Sequence, residues 1–122
     1  MAAPRVAALV DDLMDRSRVA AAMPDVAFVR SPDAVGDADV VVLDLGGHAA
    51  EVAALRAAHP DVRIVAFGRH DDVAALDAAR AAGADRVLPR SQFFRDPAGA
   101  MAPERGAVPP FGRAGSERRA ES

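Results

Sequence analysis

The stretch that decides the fold reads Val40-Val41-Val42-Leu43-Asp44-Leu45-Gly46-Gly47. Four apolar residues in a row, three of them β-branched, are typical of a strand buried on both faces in a parallel sheet covered by helices. Asp44 then falls at the carboxyl end of the strand, where open α/β sheets form their ligand sites. The two glycines allow a sharp turn and a close approach of the backbone to a ligand. We therefore expect a parallel α/β fold with Asp44 at its functional edge.

Shorter apolar runs on either side of this stretch alternate with helical patterns. The runs that predict strands are residues 5–10, 26–29, 63–67 and 86–88. Apolar residues at helical spacing predict helices over residues 13–23 and 48–59, and from Asp71 or Asp72 to residue 82. In the first helix, Leu13, Met14 and Val19 are expected to face inward. Strands and helices that alternate through short links predict a doubly wound, five-stranded parallel sheet in the order 2-1-3-4-5.

The composition excludes several classes of protein. Of the 122 residues 27% are charged and the net charge is −3, so the chain lacks the basic footprint of a nucleic-acid-binding domain. The absence of cysteine excludes disulfides and thiolate metal sites, and the absence of lysine and threonine excludes mechanisms that need those side chains. No apolar run is long enough to span a membrane, and the first residues lack the layout of a signal peptide, so we expect a cytoplasmic protein.

The last quarter of the chain differs from the rest in composition. Residues 95–122 contain four prolines and four glycines and little apolar sequence. We therefore predict one domain at residues 4–94, followed by a disordered tail at residues 95–122. The prolines and glycines are expected to leave the last helix short or missing, and one face of the sheet under-covered. Phe93 and Phe94, the tail, a partner or a second copy in a homodimer would then cover that face.

Four motifs lie at the ends of the predicted strands. They are Val10-Asp11-Asp12, Val42-Leu43-Asp44, Ile64-Val65-Ala66-Phe67-Gly68 and Ala82-Gly83-Ala84-Asp85-Arg86-Val87-Leu88-Pro89-Arg90. In this order and spacing the chain resembles the receiver domains of two-component response regulators, over roughly residues 4–94. The Gly-Ala-Asp between a helix and a short strand is the most specific part. The resemblance implies a stand-alone signalling module in a phosphorelay-type pathway.

The resemblance also implies roles for the acids at this edge. Asp11 and Asp12, with Asp44 and the backbone carbonyl of Gly46, would hold Mg²⁺. Asp44 would accept a phosphoryl group from a histidine kinase. A carboxylate can attack phosphorus while a divalent cation neutralises the equatorial oxygens of the phosphoryl group. Apart from self-phosphorylation from a kinase or a small phosphodonor, we expect no enzymatic activity.

Several positions depart from the family's pattern. Gly68 stands where the family has a Thr or Ser hydroxyl, and Ser91 stands where it has a proline. Arg90 stands where the family has a phosphoryl-contacting lysine, and Val87 about where it has an aromatic side chain. A guanidinium is a planar fork and an ammonium a point charge, so Arg90 could bind phosphate or could pair with Asp44 and close the site. We therefore expect an atypical or pseudo-receiver, either phosphoaccepting or phosphate-independent.

Two functions from other classes stay open. A small phosphate- or nucleotide-binding Rossmann-like domain would have a pocket at Gly46, Gly47 and Arg69, because glycines before a helix can cradle a phosphate. A lone Gly-Gly is a weak signal for such a pocket. A non-catalytic interaction subunit would instead use the under-covered face, and would form constitutive dimers or depend on a partner for stability.

The residues of the same edge also have plainer structural roles. Asp12 could cap the first helix, and Asp44 could serve only as a cap or a turn residue. His48 and His70 fall beside these acids and could form a transition-metal site with them, although histidines at helix ends are more often solvated. Metal binding requires that Asp11, Asp12 and Asp44 converge.

Overall fold

A computed structural model describes residues 4–102 of the chain. Within these residues, five parallel strands form one sheet in the order β2-β1-β3-β4-β5. The strands are β1 Val6–Leu9, β2 Ala27–Phe28, β3 Val40–Asp44, β4 Arg63–Gly68 and β5 Arg86–Pro89. The predicted doubly wound α/β class and the strand order 2-1-3-4-5 are confirmed. The side on which the carboxyl ends of the strands meet is termed the upper edge, and the opposite side the lower edge.

Helices cover both faces of this sheet. They are α1 Leu13–Ala22, α2 Leu45–His48, α3 Glu51–Ala58, α4 Val73–Ala81, α5 Arg90–Arg95 and α6 Pro97–Met101, and a 3-10 turn spans Pro32–Ala34. The helix predicted over residues 48–59 is α3, which begins only at Glu51. The short helix α2 precedes it, and the Asp44 carboxylate caps α2 directly at the end of β3. Asp72 caps α4, which is one of the two predicted starts. No helix in residues 4–102 is long and apolar enough to cross a membrane.

The apolar run of β3 is buried on both sides, as predicted. Successive side chains of a strand point to opposite faces, so the run contributes to two core layers. Val41 and Leu43 lie in the layer that α3 and α4 cover. Val42 lies in the layer that α1, α5 and α6 cover, with Phe67 and Phe93. The sheet is therefore packed on both faces, and only its edges reach solvent.

The face that was expected to be under-covered carries α5 and α6. Phe93 and Met101 are buried there, and Phe93 stacks on Phe67 with ring centroids 4.7 Å apart. Pro97 begins α6 because a missing N–H costs nothing in the first turn of a helix. Of the expected ways of covering this face, Phe93, Phe94 and the first residues of the predicted tail provide the one observed. Packed structure therefore continues beyond the predicted domain boundary. The rest of the predicted tail, residues 103–122, lies outside the described residues.

One part of that face stays open at the lower edge. A groove of about 750 Å³ lies between the start of β1, the end of α1 and the end of α6. Its lining is mostly apolar and includes Val6, Met23, Val26, Val40, Ala98 and Met101. Arg63 donates hydrogen bonds to the carbonyls of Met101 and Ala102, which fixes the end of α6 at the rim of the groove. We term this cavity the lower groove.

The Gly-Ala-Asp motif closes the other half of the lower edge. Gly83 has φ +115°, and a Cβ there would lie 2.8 Å from Cγ of Arg56, so glycine is required on both counts. Asp85 accepts the backbone N–H of Ile64 at 2.8 Å and the Arg56 guanidinium at 2.6 Å. Arg56 also donates to the carbonyls of Pro60 and Val62, each at 2.8 Å. The most family-specific motif of the sequence is therefore a structural clamp.

The inward face of α1 differs from the prediction. Leu13 and Met14 are 78% and 66% exposed, whereas Val19 is buried as predicted. Asp15, which lies one helical turn before Val19, is 3% exposed and faces the core. The Asp12 cap sets this rotation, because its carboxylate accepts the backbone N–H of Asp15 at 2.9 Å. A carboxylate is therefore buried where the sequence pattern suggested an apolar side chain.

Candidate functional site

The upper edge brings together the residues that the sequence predicted for the site. Asp11 and Asp12 follow β1, Asp44 ends β3, Gly68 ends β4, and Arg90 follows β5. Asp44 is half-buried, and its Oδ1 accepts the backbone N–H of Gly46 at 2.9 Å. Because α2 begins directly after β3, the Asp44 carboxylate lies at the start of α2 and caps it. The predicted capping role of Asp44 is therefore confirmed.

The two acids after β1 have different partners. Asp12 caps α1 through Oδ2, as its plainer role predicted. Asp11 accepts a hydrogen bond from Nε2 of His48 at 2.9 Å. His48 ends α2 and is only 8% exposed, and its Nδ1 contacts Oε1 of Glu51. The imidazole thus bridges a carboxylate of the β1 end and a carboxylate of α3.

The surroundings of His48 favour its charged form. Burial is the largest single effect and lowers the pKa of His48. The hydrogen bond to Glu51 and the negative charges of Asp11 and Glu51 together outweigh burial, so the pKa of His48 is raised above its ordinary value. Asp11 and Glu51 therefore shift the titration of His48 toward higher pH.

Arg90 forms an ion pair with the buried Asp15. Its Nη2 donates to Oδ1 of Asp15 at 2.8 Å and to Oδ2 at 2.9 Å. Its guanidinium carbon also lies 5.4 Å from the ring centroids of Phe67 and Phe94. The hydrogen bond to Asp15 raises the pKa of Arg90, and the charges of Asp44 and Asp12 add to the effect. Arg90 was expected either to bind phosphate or to pair with Asp44. It pairs instead with Asp15, because a buried carboxylate needs a charged partner.

The space at Gly68 is tight for the hydroxyl side chain of the family. A Cβ at Gly68 would lie 3.2 Å from Cδ1 and 3.3 Å from Cβ of Leu45, and 3.4 Å from Cδ2 of Leu76. Leu45 is the first residue of α2 and is buried, so the cap at Asp44 positions it over the end of β4. An apolar side chain therefore fills the space beside Gly68.

Of the residues predicted to form a phosphate or nucleotide pocket, Arg69 lines a cavity in the described part of the chain. A small cavity of about 200 Å³ is lined by Arg69, His70, Asp71, Arg90 and Ser91, without Gly46 or Gly47. Arg69 donates to both oxygens of Asp71, at 3.0 Å and 2.8 Å, and this hydrogen bond is the main reason that its pKa is raised. Among the described residues, a Cβ at Gly47 would meet one atom within 4 Å, Oδ2 of Asp11 at 3.5 Å.

The resemblance to receiver domains implies a divalent cation, and the contacts of the acids test whether they fit one. Asp12 and Asp44 each give one oxygen to a helix start, and Asp11 gives one to His48. Within residues 4–102, no three His, Asp or Glu side chains are gathered closely enough to hold a metal ion. The described acids therefore form no preassembled cluster of three ligands, either among themselves or with His48 and His70.

Sequence reasoning missed three residues of this edge. Asp15 lies four residues before Val19 on the buried side of α1, and an arginine in place of the family's lysine calls for an acidic partner. Glu51 lies three residues after His48, a spacing at which helical side chains meet. Leu45 carries no such signal, because its position over Gly68 depends on the point at which α2 begins.

Comparisons with known proteins bear on the fold. No protein-family model matches the sequence. A search of curated proteins finds no match either. The likeness to known proteins is therefore found at the level of structure.

Several solved structures share this architecture. A response regulator from Burkholderia pseudomallei, solved with a phosphorylated aspartic acid, a calcium ion and citrate, is 18% identical, with a TM-score of 0.69 over 82% of this chain and 67% of that chain. A response regulator receiver domain from Clostridium thermocellum is 14% identical, with a TM-score of 0.68 over 80% and 90% of the two chains. A CheY-like protein (tadZ) from Pseudomonas aeruginosa is 20% identical, with a TM-score of 0.65 over 80% and 95%. The fold predicted from the motifs is confirmed.

Proposed function

We propose that this chain, whose fold is that of response regulator receiver domains, is a receiver-like signalling module whose output does not depend on phosphate. The proposal is carried by one observation, the ion pair of Arg90 with the buried Asp15. In the family, the side chain at the position of Arg90 contacts the phosphoryl group. Here its guanidinium is already bound, and release would leave a buried carboxylate without a partner.

Two further features support phosphate independence. The family's readout couples the phosphoryl group to a hydroxyl after the fourth strand and an aromatic side chain on the fifth. Gly68 supplies no hydroxyl, and Leu45 fills the space beside it. Val87 is a buried aliphatic residue of the core layer under α3 and α4. A phosphoryl group on Asp44 would therefore lack the contacts through which the family transmits its signal.

The test is a heteronuclear NMR titration of the protein with Mg²⁺ and then with beryllofluoride. We expect the resonances of β5 and α5 to keep their positions, because Arg90 stays on Asp15. An Asp44→Asn variant serves as the control for effects of the reagents that do not involve the acceptor carboxylate. Saturating shifts that run from Asp44 through Arg90 into α5, and that Asp44→Asn abolishes, would contradict the proposal.

A second candidate is the phosphoaccepting form of the same module. Asp44 lies at the end of β3, and its Oδ2 has no hydrogen-bond or ion-pair partner within the described residues, which favours this candidate. A histidine kinase or a small phosphodonor would supply the phosphoryl group. The Mg²⁺ predicted at Asp11, Asp12, Asp44 and the Gly46 carbonyl would compete with His48 for Oδ2 of Asp11. A mass increase of one phosphoryl group on incubation with acetyl phosphate, absent in Asp44→Asn, is the outcome expected of this candidate.

Partners of the proposed module are other signalling proteins in the cytoplasm, and we propose no catalytic activity for it. A homodimer, if one forms, would use the lower groove, since α5 and α6 cover the rest of the face that was expected to be bare. Sedimentation over a range of concentrations, with a Met23→Asp variant in the groove, tests self-association. Equal behaviour of the two proteins at all concentrations would argue against a dimer through this surface.

A further inference from the structure

We propose that the lower groove is the binding site of the chain's own residues Ala107-Val108-Pro109-Pro110-Phe111, which we term the tail segment. Bound within the same chain, the segment shields the apolar lining of the groove from water. The inference goes beyond the proposed function, because it concerns the lower edge and holds whether or not Asp44 accepts a phosphoryl group. It rests on the lining of the groove, on the position of Ala102 and on the sequence of the segment.

The lower groove is wide and apolar enough to hold a short peptide segment. Its volume of about 750 Å³ falls within the range of about 300–1,000 Å³ that ligand sites occupy. Residues at the start of β1, the end of α1 and the end of α6 form its walls, and they include Val6, Met23 and Met101. Removing apolar surface from water is favourable in proportion to the area that is covered. The groove therefore favours an apolar occupant over water.

The last described residue lies at a wall of this groove. Ala102 lines the groove together with Met101 and Ala98. Arg63 donates to the carbonyls of Met101 and Ala102, at 3.3 Å and 3.2 Å, and so fixes this point of the chain. Only four residues, 103–106, separate Ala102 from the tail segment, and four residues span at most about 14 Å. A segment tied so closely has an effective concentration of about millimolar, so a modest affinity suffices to fill the groove.

The composition of the tail segment suits an apolar site. Val108 and Phe111 are the only large aliphatic or aromatic side chains in residues 103–122. Pro109 and Pro110 stand between them, and proline has no backbone N–H. The segment therefore brings fewer hydrogen-bond donors that would lose their water on entering the groove, and the cost of desolvation is lower.

The charges at the groove complement those beside the segment. Three charged residues line the groove, Arg5, Asp25 and Asp37. Arg5 pairs with Asp37, whereas Asp25 has no hydrogen bond or ion pair in the described part of the chain. The lining thus carries one uncompensated negative charge. Arg105 and Arg113 lie two residues before and two residues after the tail segment, so a guanidinium on either side complements the charge of Asp25.

The experiment uses the full chain with a nitroxide attached through Ser116→Cys, which is a single site because the chain has no cysteine of its own. We expect selective broadening of the amide signals of residues 5–7 and 25–27, which line the groove, and none on α4 on the other face of the sheet. Phe111→Asp should lower the equilibrium constant for docking at least about tenfold, because a charge replaces an aromatic side chain in an apolar site. Ala120→Asp adds the same charge outside the tail segment and is the matched control. Equal broadening in Phe111→Asp and Ala120→Asp would overturn the proposal.

A mixing experiment distinguishes the chain's own segment from that of a second copy. Chain enriched in ¹⁵N and free of nitroxide is mixed with spin-labelled chain at natural isotopic abundance. We expect the groove signals of the enriched chain to stay sharp, because each groove is filled from within its own chain. Selective broadening of the same residues in the mixture would assign the groove to a second copy and would overturn the proposal.

A last measurement uses the wild type alone and so does not depend on the folding of a variant. We expect nuclear Overhauser effects between the ring protons of Phe111 and the methyl group of Met23, a wall of the groove. A Phe111 ring without such contacts to the groove would refute the proposed binding site.

Discussion

The two edges of the sheet are closed in opposite ways. At the upper edge, His48, Arg69 and Arg90 are each bound to a carboxylate of the same chain. At the lower edge, Arg56 closes one half through backbone carbonyls and Asp85, while the other half is an apolar groove of about 750 Å³. The edge at which open α/β sheets form their ligand sites is therefore occupied by internal ion pairs. The larger of the two cavities described above lies at the opposite edge, away from the carboxyl ends of the strands where open α/β sheets bind ligands.

The fold of receiver domains is therefore compatible with an upper edge whose acids are engaged in internal contacts. Asp11, Asp12 and Asp44 at the upper edge each have a structural partner. These contacts are helix caps at Asp12 and Asp44, the imidazole on Asp11 and the guanidinium on Asp15. Each of the following predictions tests one of these contacts, or its counterpart at the lower edge.

The largest effect is expected from Arg90→Met at the upper edge. The substitution leaves the Asp15 carboxylate buried without a partner, which costs about 3 kcal/mol of unfolding free energy, at the low end for buried pairs because Arg90 is 36% exposed. Urea denaturation measures the loss. Arg95→Met, an exposed position at the end of the same helix, is the control. A double variant with Asp15→Leu should recover most of the loss, and equal stability of Arg90→Met and Arg95→Met would contradict the closed upper edge.

The next effect concerns the clamp at the lower edge. Gly83→Ala combines a positive φ with a close approach to Arg56, and should cost about 2 kcal/mol. Gly36 also has a positive φ, +61°, but a Cβ there would meet no atom of residues 4–102 within 4 Å. Gly36→Ala should therefore cost only about 1 kcal/mol, which is the backbone strain alone. If thermal or urea unfolding gives the same loss for both, Arg56 does not pack against Gly83 as described.

A smaller effect should follow restoration of the family's hydroxyl. Gly68→Ser introduces a Cβ against Leu45 and Leu76, and should cost about 1 kcal/mol through overpacking. In a Leu45→Ala background the same substitution should cost less, because the nearest contact has been removed. Equal costs in the two backgrounds, measured by urea denaturation, would mean that Leu45 does not fill the space beside Gly68.

The smallest effect is the pH dependence that His48 contributes. The pKa of His48 is raised in the folded protein, so its share of the stability is fully present below the unfolded value of 6.5 and is lost as pH rises through the folded pKa. The difference in unfolding free energy between the wild type and His48→Gln should therefore shrink as pH increases above 6.5. A difference that grows with pH would show that Asp11 and Glu51 do not hold the ring in its charged form.

Much of the fold follows from local sequence, because the apolar runs of the strands and the caps of α1 and α4 are short-range signals. The face of α1 was predicted wrongly because the apolar Leu13 and Met14 outweighed Asp15 in the pattern, while the burial of Asp15 depends on Arg90, 75 residues away. The packing of α6 against the sheet was not predicted, because the prolines and glycines after residue 94 indicated a disordered tail. Its burial depends on contacts with other elements.

The same limit applies to the site. The positions of Asp11, Asp44 and Arg90 at one edge follow from the order of the strands, and they were predicted correctly. Their partners follow from distances between side chains of different elements, which no local pattern contains. The residue types at this edge suggest phosphoryl transfer. The contacts that the same residues form are helix caps and ion pairs.

The stacking of Arg90 on Phe67 and Phe94 has a spectroscopic consequence. The chain contains no Tyr or Trp, so intrinsic fluorescence says little about its state. The Arg90 guanidinium carbon, however, lies 5.4 Å from the centroids of both rings, and aromatic ring currents shift the signals of protons above a ring upfield. Departure of Arg90 from Asp15 would move its protons off the rings and return their signals downfield. The proton signals of the Arg90 side chain therefore report, without an added label, whether its ion pair with Asp15 is formed.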